Sequence, residues 1–250
     1  MSIRSVQDDV SRQTFGQFQT VCDLAEHFQV PGERIILDPL PFTATEADLL
    51  DWNAKHGICE LVDRTLIMKR VPIEDHLLSR RYWDDPEEQR SMAVSESFVT
   101  QELNFALLSF VKQSGLGRVA DAQAIQRTNT DERRIPDLSV FTTETMRSVY
   151  PSGKVATLPK VFPRIADIAI EILSESNTNE EIARKRREYF DSGSRLVWIV
   201  DPRGQTVEVW TGTDTPDSVL TRSDTLTGGD VLPGFELSID QWFSNAEAVG

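Results

Sequence analysis

Residues Arg164–Pro202, RIADIAIEILSESNTNEEIARKRREYFDSGSRLVWIVDP, decide how the rest of the chain is read. The order is strand, turn, helix, strand. IADIAIEIL is a near-continuous apolar run with β-branched residues, long enough for a fully buried strand and short for a helix. Strand alternation puts Ala166, Ile168, Ile170 and Ile172 on one face, and Asp167, Ala169, Glu171 and Leu173 on the other. Glu171, flanked by Ile170 and Ile172, is costly to desolvate unless a cation meets it. SESNTNEE then offers N-cap candidates in Asn177, Thr178 and Asn179, with acids suited to a first helical turn. In the helix that follows, Ile182, Lys185 and Tyr189 share one face. Ile182 and Tyr189 should point at the sheet, and Lys185 with them. A lysine on that stripe and a glutamate late in the buried strand together indicate a site.

Asp137 joins them from RRIPDLSVF, where Pro136 opens a strand that tolerates its missing N–H, and Leu138, Val140 and Phe141 carry the run onward. A proline–aspartate, a glutamate on a later strand and a lysine on the next helix resemble the PD-(D/E)XK nuclease superfamily. The likeness is closest to a bacterial group of restriction-endonuclease-like proteins, the Uma-two family, also called domain of unknown function 820. Its members look like RIPDVSF, then VEVLSPST or VEVLSESNT, then RKxREY, then YWLVDP. This chain has RIPDLSVF, AIEILSESNT, RKRREYF and LVWIVDP in the same order, and the likeness runs from about Cys59 to Phe243.

At 250 residues the chain can hold one good-sized core. We expect a peripheral extension over residues 1–40 and a single domain over 41–245, with an insertion at 70–92. No apolar stretch approaches the length of a membrane span, and the first thirty residues lack the apolar core of a signal peptide. Cys22 and Cys59 make neither a disulfide framework nor a zinc site, and His27, His56 and His76 lie apart without metal-ligand spacing. A cytoplasmic protein is the default expectation. The net charge of −14 argues against a simple nucleic-acid binder, which presents a basic face. Basic residues gather in Arg133–Arg134 and Arg184–Arg187, so any contact with nucleic acid has to be local and metal-assisted.

TATEADLLDWNAKHG reads as a helix from a Thr43 or Thr45 cap to a stop at Gly57, and CELVDRTLIMKR as a hairpin turning near Asp63–Arg64. Residues 70–92, with Tyr82 and Trp83, read either as a lid or partner surface or as a solvated excursion. SESFVTQELNFALLSFVKQSGLG is an amphipathic helix with Phe98, Val99, Leu103, Ala106, Leu107, Phe110 and Val111 on its apolar face and Gly115 as its stop. GRVADAQAIQRTN, RRIPDLSVF and RIADIAIEIL make three strands, the first pair antiparallel, with a long turn-rich segment before the third. The unit 165–201 crosses over right-handed and makes its strands parallel. QTVEVWTG pairs with RLVWIVDP, and GGDVLPGFELSIDQWF reads as a β-ribbon with a closing helical turn. The class is α/β with an α+β-like mixed sheet. The expected core is restriction-endonuclease-like, ordered helix, three strands, helix, strand, with flanking helices and added hairpins.

The resemblance implies a Mg²⁺-dependent endonuclease hydrolysing DNA phosphodiesters, with Mn²⁺ as a substitute. Asp137 and Glu171 supply carboxylate oxygens to the metal, the Ile172 carbonyl supplies another, and Glu96 at the start of the amphipathic helix is a weak further ligand. Lys185 orients or deprotonates the attacking water or meets the developing oxyanion, since the superfamily position two after the glutamate is Leu173 here. Arg184, Arg187 and Arg134 are candidate contacts to nucleic acid, and a homodimer is compatible with this reading. Each residue also has a plain structural reading. Asp137 could simply begin a strand, Glu171 could pair with an arginine such as Arg186, Lys185 could snorkel, and Glu96 could complement the helix dipole. Two other functions stay open: an interaction module that keeps the nuclease fold without catalysis, favoured by the acidic balance, and a metal-dependent hydrolase of small phosphodiesters.

Overall fold

The computed structural model describes residues 18, 20–69, 86–151 and 159–248, with side chains of 86–94 left aside. In chain order the first elements are α1 (Val21–Phe28), a 3-10 turn at Gly32–Arg34, α2 (Glu46–Lys55), β1 (Cys59–Val62) and β2 (Thr65–Met68). Then come α3 (Pro86–Ser114), β3 (Gly117–Asp121), β4 (Gln126–Arg127), β5 (Arg133–Arg134), β6 (Leu138–Thr142) and α4 (Thr143–Val149). The last third holds β7 (Ile168–Ile172), α5 (Asn179–Asp191), β8 (Leu196–Asp201), β9 (Thr206–Trp210), β10 (Ser218–Leu220), β11 (Thr225–Gly228), β12 (Leu232–Ser238) and α6 (Ile239–Glu247).

The larger sheet runs β10-β9-β8-β7-β6-β3, and the smaller one β2-β1-β5-β4. Only the β7–β8 pair of the larger sheet is parallel, from Ile168↔Leu196 to Ile172↔Val200, while its other neighbours are antiparallel. The sheet is therefore mixed, with the parallel pair bridged by α5. Strand alternation in β7 sorts its residues between two cores. Ile168, Ile170 and Ile172 pack with Val99, Leu103, Leu107 and Val111 of α3 and with Trp242 and Phe243 of α6. On the other face Ala169 packs with Ile182 and Tyr189 of α5 and with Trp210. The buried indole N–H of Trp242 donates to the Val99 carbonyl, which fixes α6 against α3.

Several expectations are revised. RRIPDLSVF is not one strand: Arg133–Arg134 pair within the smaller sheet, and Leu138–Thr142 within the larger one. Pro136 lies at the crossing, where no ladder asks for an N–H. Asp137 is thereby placed at the joint between the sheets. α3 begins at Pro86, inside the stretch read as an insertion, and the rest of that stretch, with Tyr82 and Trp83, lies outside the described residues. Phe98 is not on the apolar face of α3 but 52% exposed. The turn-rich segment after β6 opens with the helix α4, capped by Thr142, whose hydroxyl accepts from the Thr145 amide; its residues 152–158 lie outside the described residues. Nor is the chain peripheral up to residue 40, because Leu24, Phe28, Ile35 and Ile36 are buried and Arg34 is fully so.

The start of α2 and the hairpin beyond it show how local chemistry sets limits. Thr45 and Asp48 form a reciprocal capping box at its start. Beyond it, β1 and β2 pair with Val62 opposite Thr65, leaving a two-residue turn at Asp63–Arg64. Both residues have positive φ, 44° and 55°, as a type I′ turn requires even though neither is glycine. The turn is held from both sides: the Asp63 amide donates to Glu132 at 2.8 Å, and the Arg64 guanidinium donates to the Thr43 carbonyl at 3.2 Å.

The packing gives a contrast that can be measured on α3. Leu107, fully buried between the larger sheet and α6, should cost about 2–5 kcal/mol of unfolding free energy when cut to alanine. Phe105→Ala, at a side chain 70% exposed, should stay within about 0.5 kcal/mol. Urea denaturation of the two variants checks both values.

Candidate functional site

Glu171 and Lys185 meet because strand and helix periods coincide. Glu171 is on the β7 face that carries Ala169, and Lys185 lies on the α5 stripe between Ile182 and Tyr189. The Lys185 ammonium is 3.3 Å from Glu171 Oε2, and the Tyr189 hydroxyl donates to Glu171 Oε1. Asp137 enters from the crossing between the sheets. Its Oδ2 accepts from the Ile172 amide at 2.8 Å, next to Glu171 in β7.

A second lysine completes the group. Lys69, just beyond β2, places its ammonium 2.8 Å from Asp137 Oδ1 and 3.9 Å from Glu171 Oε2, and also donates to the Ile135 carbonyl. The two carboxylates therefore share one cation, which comes from the smaller sheet. The side chains of Lys69 and Asp137 are 10% and 12% exposed, whereas those of Lys185 and Glu171 are 1% and 2% exposed. The site thus has a solvent side, at Lys69 and Asp137, and a buried side, at Lys185.

Behind Glu171 the charges continue as an alternating chain. Lys185 also reaches Glu60 of β1 at 3.6 Å and Glu181 of α5 at 3.7 Å. Glu181 is gripped by both terminal nitrogens of Arg34, at 2.7 and 2.8 Å. Glu60 accepts from Arg134 at 2.9 Å and from the Ile135 amide at 2.9 Å. Arg134 then forks onto Glu188, which also meets Arg184, and Arg184 reaches Asp63. Buried charges are tolerated only with such partners.

The titration of these groups follows from their neighbours. Burial alone would raise the Glu60 carboxyl, but Lys185, Arg134 and Lys69, with the Ile135 amide, hold it down to about 2. Burial alone would lower the Lys185 ammonium, yet Glu171, Glu60 and Glu181 keep it well above the usual lysine range. An ammonium held this way supplies positive charge to three carboxylates at once. Asp137 stays below the carboxylate range despite burial, through Lys69 and the Ile172 amide. Glu171 is raised, because burial, reinforced by Asp137 and Glu60, outweighs the pull of Lys185 and Lys69.

Of the residues selected from sequence, Asp137, Glu171 and Lys185 are brought together here, and Ile172 meets them through its amide, which donates to Asp137. Glu96, on α3, does not join Asp137 and Glu171 in a three-carboxylate cluster among the described residues; it lines a cleft of about 110 Å³ with Leu173, Ser174, Glu175, Asp201 and Arg203. Arg134 is a correction: its side chain is 4% exposed and committed to Glu60 and Glu188, so it is not presented to a nucleic acid. Arg184 is half-buried on Glu188 and Asp63, and Arg187 is exposed. Arg186 does not pair with Glu171 but lies over the Trp210 ring, 3.4 Å from its centroid. Sequence reasoning did not single out Arg34, Glu60 or Lys69. Glu60 could have been found by the argument used for Glu171, as a carboxylate within the apolar strand CELV. Lys69 carries only a weak signal, a lysine ending the run TLIM.

A family model, Uma2, described as "Putative restriction endonuclease", matches residues 87–240. Among solved structures, the chain is similar to the crystal structure of "a putative nuclease belonging to DUF820" from Anabaena variabilis ATCC 29413. The TM-score is 0.57 at 21% identity, over 75% of this chain and 90% of that one. The fold is thus a restriction-endonuclease-like core, a mixed sheet flanked by helices. No curated sequence matches the chain.

Two outcomes follow from the charge chain. Lys185→Met leaves Glu60, Glu171 and Glu181 short of a cation and should cost about 3–5 kcal/mol, read by urea denaturation. The second concerns acid. With its folded carboxyl at about 2 against 4.5 when unperturbed, Glu60 contributes fully above pH 4.5, and this is lost as the pH falls toward 2. The stability gap between wild type and Glu60→Gln should therefore be widest near neutrality and close in that acid window.

Proposed function

The chain belongs to the Uma2 family, and on that premise we propose that it is a metal-dependent phosphodiester hydrolase acting on DNA. The observation that carries this reading is the meeting of Asp137 and Glu171 around a single cation position at the joint of two sheets. The donor chemistry fits a hard divalent ion. Mg²⁺ keeps several waters and takes one or two carboxylates, and here two carboxylates converge beside an ammonium. Among the described residues no cluster of three or more His, Cys, Asp or Glu is gathered for a metal. The protein ligands in this reading are Asp137, Glu171 and the Ile172 carbonyl. Mg²⁺, or Mn²⁺ in its place, would polarise the phosphate and make a water more acidic.

The chain's own residues do the rest. The Ile172 amide fixes the Asp137 carboxylate, and the Tyr189 hydroxyl fixes that of Glu171, so both are oriented before any ligand arrives. Lys185 balances Glu171 from behind and acts as a positioning residue. Arg187, exposed on α5, is suited to a backbone phosphate, where it would add affinity and salt dependence without reading sequence. With a net charge of −14, long-range attraction does not drive binding, so the contact has to be short-range.

One observation favours the interaction-module reading instead: every carboxylate of the cluster already has a partner within the chain. Calorimetric titration with Mn²⁺, followed by nicking of a supercoiled plasmid, separates the two. Binding and nicking are expected in wild type. Asp137→Asn should weaken Mn²⁺ binding at least about tenfold, one lost charged ligand being worth a kcal/mol or more, and nicking should be lost with it. Absence of both heat and nicking in wild type would leave the module, and cleavage of bis(p-nitrophenyl) phosphate without nicking would point to small phosphodiesters.

A further inference from the structure

We propose that Lys69, and not Lys185, is the catalytic lysine that contacts the substrate phosphate, an assignment that rests on the phosphodiesterase reading above. A group that stabilises charge on a reacting phosphate has to reach it. Lys185 cannot: it is 1% exposed, lies behind Glu171, and is held by three carboxylates at 3.3, 3.6 and 3.7 Å. Arg34 and Arg134 are equally committed, Arg34 forked onto the buried Glu181 and Arg134 onto Glu188, with Glu60 beside it. Among the described residues, Lys69 alone joins ion contact with both Asp137 and Glu171 to a place on the solvent side of the pair.

The chemistry of the side chain suits the task. Lysine is a compact charge on a flexible stem with three donors, so the ammonium can turn from a carboxylate to a phosphate oxygen without moving its backbone. The Lys69 backbone is fixed close to the site, since its amide donates to the Ile58 carbonyl at 3.0 Å and the neighbouring Met68 carbonyl accepts from Arg34 at 2.6 Å. Its role is electrostatic. The ammonium donates hydrogen bonds to oxygens that gain charge, and no proton is transferred. Because the same ammonium sits on both carboxylates, it also competes with a divalent ion for their oxygens. Removing it should strengthen metal binding while weakening catalysis. That opposition of signs distinguishes Lys69 from a residue that merely supports the site.

The test compares wild type, Lys69→Gln and Lys69→Arg by Mn²⁺ calorimetry, plasmid nicking with Mn²⁺, and thermal melting. Lys69→Gln should nick about 100-fold or more slowly, bind Mn²⁺ more tightly than wild type, and gain more melting temperature from Mn²⁺ than wild type does. Lys69→Arg, which keeps the charge, should recover part of the rate. A wild-type rate in Lys69→Gln overturns the assignment, as does weaker Mn²⁺ binding in that variant. Rate loss that Lys69→Arg does not relieve, and that tracks a fall in melting temperature, shows a structural role and overturns it too. An inactive wild type overturns the phosphodiesterase reading and this role together. An active wild type with an undiminished Lys69→Gln overturns the role of Lys69 alone.

Discussion

A glutamate in the middle of a buried sheet face is a debt of several kcal/mol unless cations surround it. Much of the chain's architecture around α5 can be read as the response to Glu171. Lys185 answers it directly, but a lysine buried among apolar residues needs more than one carboxylate, and Glu60 and Glu181 supply them. Each of those brings its own arginine, Arg134 and Arg34. The demand spreads outward until it reaches side chains that water can serve, such as Arg184 and Asp63. The inner face of α5 is accordingly charged at Glu181, Lys185 and Glu188, where a helix against a sheet is ordinarily apolar.

That network also ties the smaller sheet to the larger one. Glu60 comes from β1 and Lys69 from the end of β2, whereas Glu171 is in β7 and Lys185 in α5. Pro136 and Asp137 form one covalent crossing between the sheets, from β5 to β6, and the ion pairs join them non-covalently. The candidate site is therefore a joint. Its two carboxylates hold their separation only while both sheets stay docked, which gives Arg34 and Arg134 an effect on a site they do not touch.

The parts of this arrangement that were legible from the residues are those carried by short-range periodicity. The β7–α5–β8 unit follows from a nine-residue apolar run, a capped helix and a second apolar run, and the inward lysine follows from helical spacing alone. The Thr45 cap and the hairpin at Asp63–Arg64 were similarly local. Arg34 escaped because its partner Glu181 is 147 positions away, and Lys69 because Asp137 is 68 away. Nothing in either sequence neighbourhood encodes the pairing. The division of RRIPDLSVF between two sheets was hidden for a different reason: a two-residue strand has no period to detect. α4 is concealed by its own composition, since Thr142, which caps it, and the threonines beside it also read as turn residues. Phe98 shows the limit of helical patterning, for an aromatic at the margin of an apolar stripe can face solvent at small cost.

The placement of Lys69 bears on how relatives of this chain are recognised. A search pattern that asks for a lysine two positions after the glutamate meets Leu173 and passes over the protein. A pattern moved to the following helix finds Lys185, a lysine shut away from solvent. A three-dimensional template built on an ammonium touching both carboxylates would retrieve Lys69, whichever strand or helix supplied it. For a site built this way the quantity to match is a point in space, and a fixed spacing along the sequence is the wrong coordinate in which to look for it.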